Sequence, residues 1–197
     1  MTVLYFVRHA HSHYTADEYN RPLSDKGLED RDRVTRLFTN KIIHAIYSSP
    51  YIRAVQTVEG IAQGHKLEIS KVDSLKERTL SNGNIIDFDT AMQQVWSYPN
   101  FAFEGGESNE AAQERAITTL KKIILAHPND NIVIGTHGNI MALMMQYFDA
   151  QYDYSFWNRL SMPDVYQLTF QHFVLSDVQR VWEEKEKELS TGSPLAR

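Results

Sequence analysis

The sequence predicts an α/β fold: a three-layer α/β/α sandwich with a mostly parallel central sheet and a lid insertion over the C-terminal edge of its strands. Three observations predict it. Short apolar runs at residues 3–7, 42–47 and 131–135 are rich in β-branched and aromatic side chains. Such runs read as strands buried on both faces, the habit of parallel sheets. Stretches of helical period follow these runs, and right-handed crossovers make strands so connected parallel. Residues 79–107 then break the rhythm with Asn82-Gly83-Asn84 and Gly105-Gly106, and read as the insertion.

The opening strand ends in Arg8-His9. In open α/β sheets, ligands bind just beyond the carboxyl ends of such strands. Residues 11–22 follow as a polar loop long enough to wrap a site. Ser24 is placed to cap a helix running to about Thr39, with Leu28, Val34, Leu37 and Phe38 inward. The second strand, 42–47, leads through Ser48-Ser49-Pro50 into a helix over about 51–62. Ser49 suits its cap and Pro50 its first position. Arg53 then sits in the first turn, where free N–H groups and the helix dipole already favour an anion.

A third strand is expected at 67–69, soon followed by Leu75-Lys76-Glu77-Arg78. Residues 79–108 carry Phe88, Trp96, Tyr98, Phe101 and Phe103 but no lysine or arginine. With a short helix near 87–97, the segment reads either as a lid over one end of the sheet or as satellite core. Ser108 caps the next helix, whose apolar stripe from Ala112 to Ile124 is core. The strand at 131–135 ends in Thr136-His137-Gly138-Asn139, and an apolar helix covers about 140–148. An aromatic connector spans 153–160. Late strands at 165–170 and 174–182 suit a hairpin. The charge run 183–188 reads as a solvated helical end.

Composition bounds the reading. The 197 residues suit one domain, taken as 1–189 with the lid at about 79–107 and a disordered tail at 190–197. Hydrophobic residues make up 42%, as in ordinary globular proteins, and the net charge of −5 argues against bulk nucleic-acid or anionic-membrane binding. Without cysteine there are no disulfides, thiolate metal sites or cysteine nucleophiles. No run is long enough to span a bilayer, the first residues do not read as a signal peptide, and a cytoplasmic location is expected.

Three strand-to-loop junctions thus present Arg8-His9, Arg53 and His137. Two guanidinium groups and two imidazoles around one crevice suit a phosphoryl group: the arginine fork matches its oxygens, and an imidazole can attack phosphorus.

Six motifs, in order, resemble the histidine phosphatase superfamily, also called the phosphoglycerate-mutase-like family. They are Leu4-Tyr5-Phe6-Val7-Arg8-His9-Ala10, Pro22-Leu23-Ser24-Asp25-Lys26-Gly27, Ser48-Ser49-Pro50-Tyr51-Ile52-Arg53-Ala54-Val55-Gln56-Thr57, Leu75-Lys76-Glu77-Arg78, Gly105-Gly106-Glu107-Ser108 and Thr136-His137-Gly138-Asn139. The resemblance spans Leu4 to about Trp182. It implies His9 as the nucleophile that becomes a phosphohistidine. It implies Arg8, Arg53 and His137 as the phosphoryl-binding pocket, and Glu77 as the acid that protonates the leaving oxygen and later activates water. Gly138, Ser12 and Arg21 join Arg8, Arg53 and His137 as substrate-binding candidates, and His11, Tyr14, Asn20 and Glu107 are further candidates for the mouth. The nucleophile must be neutral, which nearby cations encourage. The acid must start protonated, which burial beside an aromatic lid would favour. No cofactor or metal is required, since positioning and charge stabilisation can carry phosphoryl transfer.

The chain departs from the family pattern at Ala10, where glycine is usual, and at His11, where glutamate is common. It also lacks the basic residues with which mutases hold a second phosphate and a carboxylate. The expected function is therefore metal-independent hydrolysis of a small-molecule phosphomonoester, ahead of mutase-type phosphoryl transfer. A metal hydrolase would need His9, His11 and His13 to share one strand face. A binding module that lost turnover would lack nucleophile or acid, yet His9 and Glu77 are both present. Oligomeric state is not readable.

Overall fold

A computed structural model describes residues 1–83 and 85–184. Six strands form one sheet: β1 (Thr2–Arg8), β2 (Ala45–Ser48), β3 (Ile69–Lys71), β4 (Asn131–Thr136), β5 (Asp164–Gln171) and β6 (Val174–Arg180), in the spatial order β3-β2-β4-β1-β5-β6. The first four run parallel, and the β5–β6 hairpin adds two antiparallel strands beside β1. The sheet is thus mixed and mostly parallel, as expected.

Helices cover both faces. On one, α4 (Asn109–Ala126) and α5 (Gly138–Phe148) pack Leu120, Ile123, Met141 and Met144 against Leu4, Phe6, Ile132 and Ile134. On the other, α1 (Asp25–Phe38) and α2 (Ile52–His65) pack Val34, Phe38, Val58 and Ile61 against Tyr5, Val7, Ile46 and Val133. Each strand of the pair β1 and β4 therefore feeds both cores, which is why both sequences read as unbroken apolar runs. No helix among the described residues is long and apolar enough to cross a membrane.

Several boundaries differ from expectation, each for a local reason. β2 begins at Ala45 because β4, its partner, pairs only from Ile132, so Ile42 is left exposed. β3 begins at Ile69 because the Leu67 N–H closes the end of α2 on Ala62 O (3.0 Å), next to Lys66 in the left-handed region. The N-cap of α2 is Tyr51, not Ser49, whose hydroxyl is used elsewhere. α5 begins at Gly138 rather than near Ile140, because the Glu77 carboxylate accepts the N–H groups of Asn139 and Ile140 (2.9 Å each). The aromatic connector contains a helix, α6 (Tyr154–Arg159), capped by Asp153 on Phe156 N–H. β6 ends at Arg180, two residues short of the expected strand, and residues 183 and 184 are not helical, contrary to the expected helical end. The rest of that charge run and the tail at 190–197 lie outside the described residues.

Two expected caps form. Ser24 Oγ accepts from Gly27 N–H (3.2 Å), and Ser108 Oγ from Ala111 N–H (3.1 Å); a cap of this kind stabilises by about 1 kcal/mol. Gly27 also has to be glycine, because a Cβ there would collide with the carbonyl oxygen of His11. That close approach clips the 11–22 loop to the start of α1, together with the Ser12–Leu23 bridge.

Between β3 and α4 runs α3 (Phe88–Ser97), capped by Asp87. It rests at the C-terminal edge of the sheet: Trp96 Nε1 donates to Asn139 Oδ1 (3.0 Å), and Met92 Sδ accepts from Arg78 Nη2 (3.1 Å). Trp96 packs on the core, whereas Phe88 and Tyr98 are more than half exposed. Trp96 thus fits the satellite-core reading, and Phe88 and Tyr98 do not.

Candidate active site

Strand register brings the three junctions together. Arg8 pairs with Thr136, and Ser48 with Gly135. One residue further on, His9 N–H donates to Thr136 O (2.9 Å) and Ser49 N–H to Gly135 O (2.8 Å). The C-terminal ends of the adjacent strands β2, β4 and β1 are therefore level, and each hands its next residues to the same rim.

At that rim the imidazoles of His9 and His137 stand edge to face, 5.1 Å apart. Arg53 lies beside them and is 2% exposed. Its Nε–H donates to His9 Nε2 (3.2 Å), while His9 Nδ1–H donates to Ala10 O (2.8 Å). With a carbonyl on one side and an N–H on the other, the proton belongs on Nδ1 and the lone pair on Nε2. Burial, then the charge of Arg53, hold His9 well below the ordinary imidazole pKa. It is neutral, as a nucleophile must be. The Ala10 N–H is taken by Thr57 Oγ1 (3.0 Å), which itself donates to Arg53 O (2.7 Å). Thr57 thus links the backbone just after His9 to that of Arg53, and Ala10 fits with no exposure.

His137 is fully buried, and burial, then the neighbouring His9 and Arg53, push its pKa well below the ordinary value too. Its Nε2 meets Ser49 Oγ at 2.7 Å. Ser49 Oγ already accepts Tyr51 N–H (3.3 Å), so the hydroxyl hydrogen is free to go to His137 Nε2. That leaves the proton of the neutral ring on Nδ1, which has no protein partner.

Arg8 anchors itself to Leu160 O (2.9 Å) and Ser161 O (3.1 Å) through Nη1 and leaves its buried Nε unpaired. Its guanidinium lies against Gly138, where a Cβ would come within 2.9 Å of Arg8 Cζ. Arg21 Nε is likewise buried and unpaired. Buried donors without acceptors are costly. Among the described residues Arg8, Arg21 and His137 each hold one such donor and Arg78 holds two. The charges of Arg8, Arg21 and Arg53 all bear on His9 and His137, and a cluster of cations of this kind suits an anion.

Glu77 sits on the other wall. Its Oε1 accepts from Arg78 N–H and Ile140 N–H and its Oε2 from Asn139 N–H, all at 2.9 Å. Its surroundings are a helix N-terminus and arginines, not the aromatic lid expected from the sequence, and the residue is only half-buried. Arg115 holds the backbone that carries it. The Arg115 fork grips Glu107 (2.6 and 2.8 Å) and donates to Ser74 O (2.7 Å) and Lys76 O (3.1 Å).

The remaining sequence candidates divide. Arg21 stands near Arg53 and pairs with Glu18 (2.9 Å). Ser12 contributes its backbone to the bridge with Leu23, and no side-chain hydrogen bond joins it to the site among the described residues. His11 Nδ1 meets Ser24 Oγ (2.7 Å), Asn20 bonds Asp17 (2.8 Å), Tyr14 is exposed beneath Arg21, and Glu107 belongs to Arg115. His9, His11 and His13 do not share a strand face, because β1 ends at Arg8. No group of three His, Asp or Glu residues suited to a metal ion occurs among the described residues.

Sequence reading missed Glu18, Ser49 and Arg115. Ser49 stood inside a recognised motif but was read as a helix cap. Glu18, an acid in a loop facing an anion site, and Arg115, in mid-helix, carry no local signal of their roles.

Fold and site define an α/β protein that gathers two histidines and several arginines at the C-terminal edge of its sheet. A family model for the histidine phosphatase superfamily (branch 1) matches residues 4–183, and the chain belongs to that superfamily. It is 29% identical over 151 residues to phosphoglycerate mutase-like protein 4 of Arabidopsis thaliana, covering 68% of this chain and 66%, just under two thirds, of that relative. It is 25% identical over 155 residues to phosphoserine phosphatase 1 of Hydrogenobacter thermophilus, covering 70% and 71% of the two. The structure of Bacillus stearothermophilus YhfR shares the fold, with a TM-score of 0.76 over 89% of this chain and 95% of that one at 24% identity. The named relatives are thus of both kinds, mutase-like and phosphatase.

Proposed function

We propose that the protein is a metal-independent phosphomonoesterase that works through a phosphohistidine at His9. The observation that carries this reading is the neutral His9 with its Nε2 lone pair turned to Arg53, beside the unpaired donors of Arg8, Arg21 and His137. A phosphoryl dianion fits there: arginine forks take its equatorial oxygens, and Nε2 lies on the attacking side.

In the first step His9 Nε2 forms a bond to phosphorus as the ester P–O bond breaks. Glu77, which must enter this step in its acid form with a proton taken up from solvent, gives that proton to the leaving oxygen. In the second step Glu77 takes a proton from water, the water oxygen bonds phosphorus, and the N–P bond breaks. Inorganic phosphate leaves and His9 is again neutral. Each step spreads charge over oxygens already faced by cations, so positioning and electrostatics carry the rate.

Hydrolysis is favoured over mutase transfer by residues 79–108, which lack lysine and arginine. A substrate with a second phosphate and a carboxylate would find no partner in that lid, and buried charge without a partner is costly. The test is a panel of phosphomonoesters, with 3-phosphoglycerate isomerisation alongside, assayed in excess chelator with His9→Ala as control. Turnover in chelator that His9→Ala abolishes supports the reading. Turnover retained by His9→Ala, turnover lost to chelator, isomerisation outpacing hydrolysis, or phosphate binding without turnover of any ester contradicts it.

A further inference from the structure

The phosphate cradle already holds an anion of the protein's own. Glu18 Oε2 accepts from Arg53 Nη2 (3.0 Å), and Oε1 pairs with Arg21 Nη1 (2.9 Å). The Glu18 carbonyl oxygen accepts from Arg53 Nη1 (2.6 Å). Both terminal nitrogens of Arg53 are therefore occupied by one residue, while its Nε remains on the nucleophile. A carboxylate spanning two guanidinium groups occupies the place that two phosphoryl oxygens would take.

The segment bearing Glu18 is fixed where it stands. Asp17 Oδ1 accepts from Tyr19 N–H (3.1 Å) and Asn20 N–H (3.0 Å), and Tyr19 O accepts from Ile52 N–H (3.0 Å) at the start of α2. Yet the Glu18 side chain is half-exposed. Its backbone is anchored at the mouth, and its carboxylate has water to swing into. Pairs on such exposed carboxylates are held weakly, and a dianion with three acceptor oxygens displaces a monoanion from arginine forks.

Resting on the function proposed above, we propose that Glu18 is a specificity residue. It closes the cradle until a phosphoryl group displaces it, and it then stands at the mouth beside the leaving group. There its charge repels a second anionic group and attracts a cation. The preferred substrates are phosphomonoesters whose alcohol part is neutral or positively charged, not bisphosphates or phosphorylated carboxylic acids. The lid, without lysine or arginine over residues 79–108, offers such an anionic group no compensation.

The test compares wild type, Glu18→Gln and Glu18→Ala on three esters of matched size: phosphoethanolamine, ethyl phosphate and phosphoglycolate. Inorganic phosphate binding is measured in parallel by titration calorimetry. In both variants phosphate binds about fivefold tighter or more, because no carboxylate competes. The kcat/KM ratio of phosphoethanolamine to phosphoglycolate falls about tenfold or more, because like-charge repulsion at the mouth is gone. A ratio that stays within about twofold of wild type, or a phosphate affinity that does not rise, overturns the role of Glu18. If wild type hydrolyses none of the three esters, the phosphomonoesterase reading fails instead, and the calorimetry alone still decides whether Glu18 competes for the cradle.

Discussion

Arg53 Nε lies 3.2 Å from His9 Nε2 and donates its hydrogen there. The arginine proposed to hold the phosphoryl group thus also occupies the lone pair of the proposed nucleophile and lowers the basicity of its imidazole. Arg53 Nε must release His9 Nε2 before that nitrogen can attack, and the consequences can be measured.

Acid should destabilise the fold through two histidines. His9 and His137 are both held well below the ordinary value of 6.5 by burial first, then His9 by Arg53 and His137 by His9 and Arg53. In the unfolded chain they titrate near 6.5. Below that pH the unfolded state binds protons that the folded state refuses, so stability present above about 6.5 is lost as pH falls toward the lower folded values. Each residue contributes up to about 1.4 kcal/mol of loss per pH unit in that window. Denaturant unfolding from about pH 7.5 to about pH 5 checks this, and His137→Asn should flatten the slope by roughly half.

Ser49→Ala should disturb His137 without touching Arg8, Arg53 or His9 directly. The hydroxyl at 2.7 Å from Nε2 keeps the ring proton on Nδ1. Losing one such bond costs about 1 kcal/mol, and a ring free to switch tautomer lowers kcat/KM about five- to tenfold. Long-range proton–nitrogen NMR of the imidazoles reads the tautomer, and Ser49→Thr restores it. An Nε2–H ring in wild type would contradict the assignment.

Glu77→Gln removes the exchangeable proton but also sets an NH2 donor against a backbone N–H that the carboxyl group now accepts, so the two effects are told apart by the leaving group. The kcat for alkyl phosphates should fall about 10²- to 10⁴-fold, and much less for nitrophenyl phosphate, whose leaving group needs no acid. Equal losses on both would assign Glu77 a structural role as the cap of α5.

Gly138→Ala tests the bed on which Arg8 lies. A Cβ within 2.9 Å of Arg8 Cζ forces the guanidinium to move. Phosphate affinity should drop about tenfold or more, with a loss of stability of about 1–3 kcal/mol from overpacking. Calorimetry and thermal unfolding measure the two separately.

The sheet was readable because β1 and β4 are buried on both faces and so show no polar break. The positions of His9, Arg53 and His137 followed from strands that end and helices that begin beside them. What stayed hidden depends on contacts across the chain. Nothing local in residues 42–44 says that Asn131 alone meets them, partly through side chains (Asn131 Nδ2 to Ile42 O, 2.8 Å), with the strand ladder starting only at Ala45. Nothing near Arg115 announces that its fork holds the backbone of residues 74–77. The Glu77 environment was misjudged because an aromatic-rich segment was taken as its neighbour, whereas the N-terminus of α5 is. Glu18 escaped notice because an acid beside an anion site looks like a mismatch until its two arginines are seen.

The most direct measurement is a rapid quench of enzyme with excess phosphomonoester in chelator, followed by mass spectrometry of alkaline-stabilised peptides. The account predicts one phosphoryl group on His9 in wild type, a larger trapped fraction in Glu77→Gln with nitrophenyl phosphate, and none in His9→Ala. A phosphoryl group on any other residue, or turnover with His9 never labelled, would contradict it.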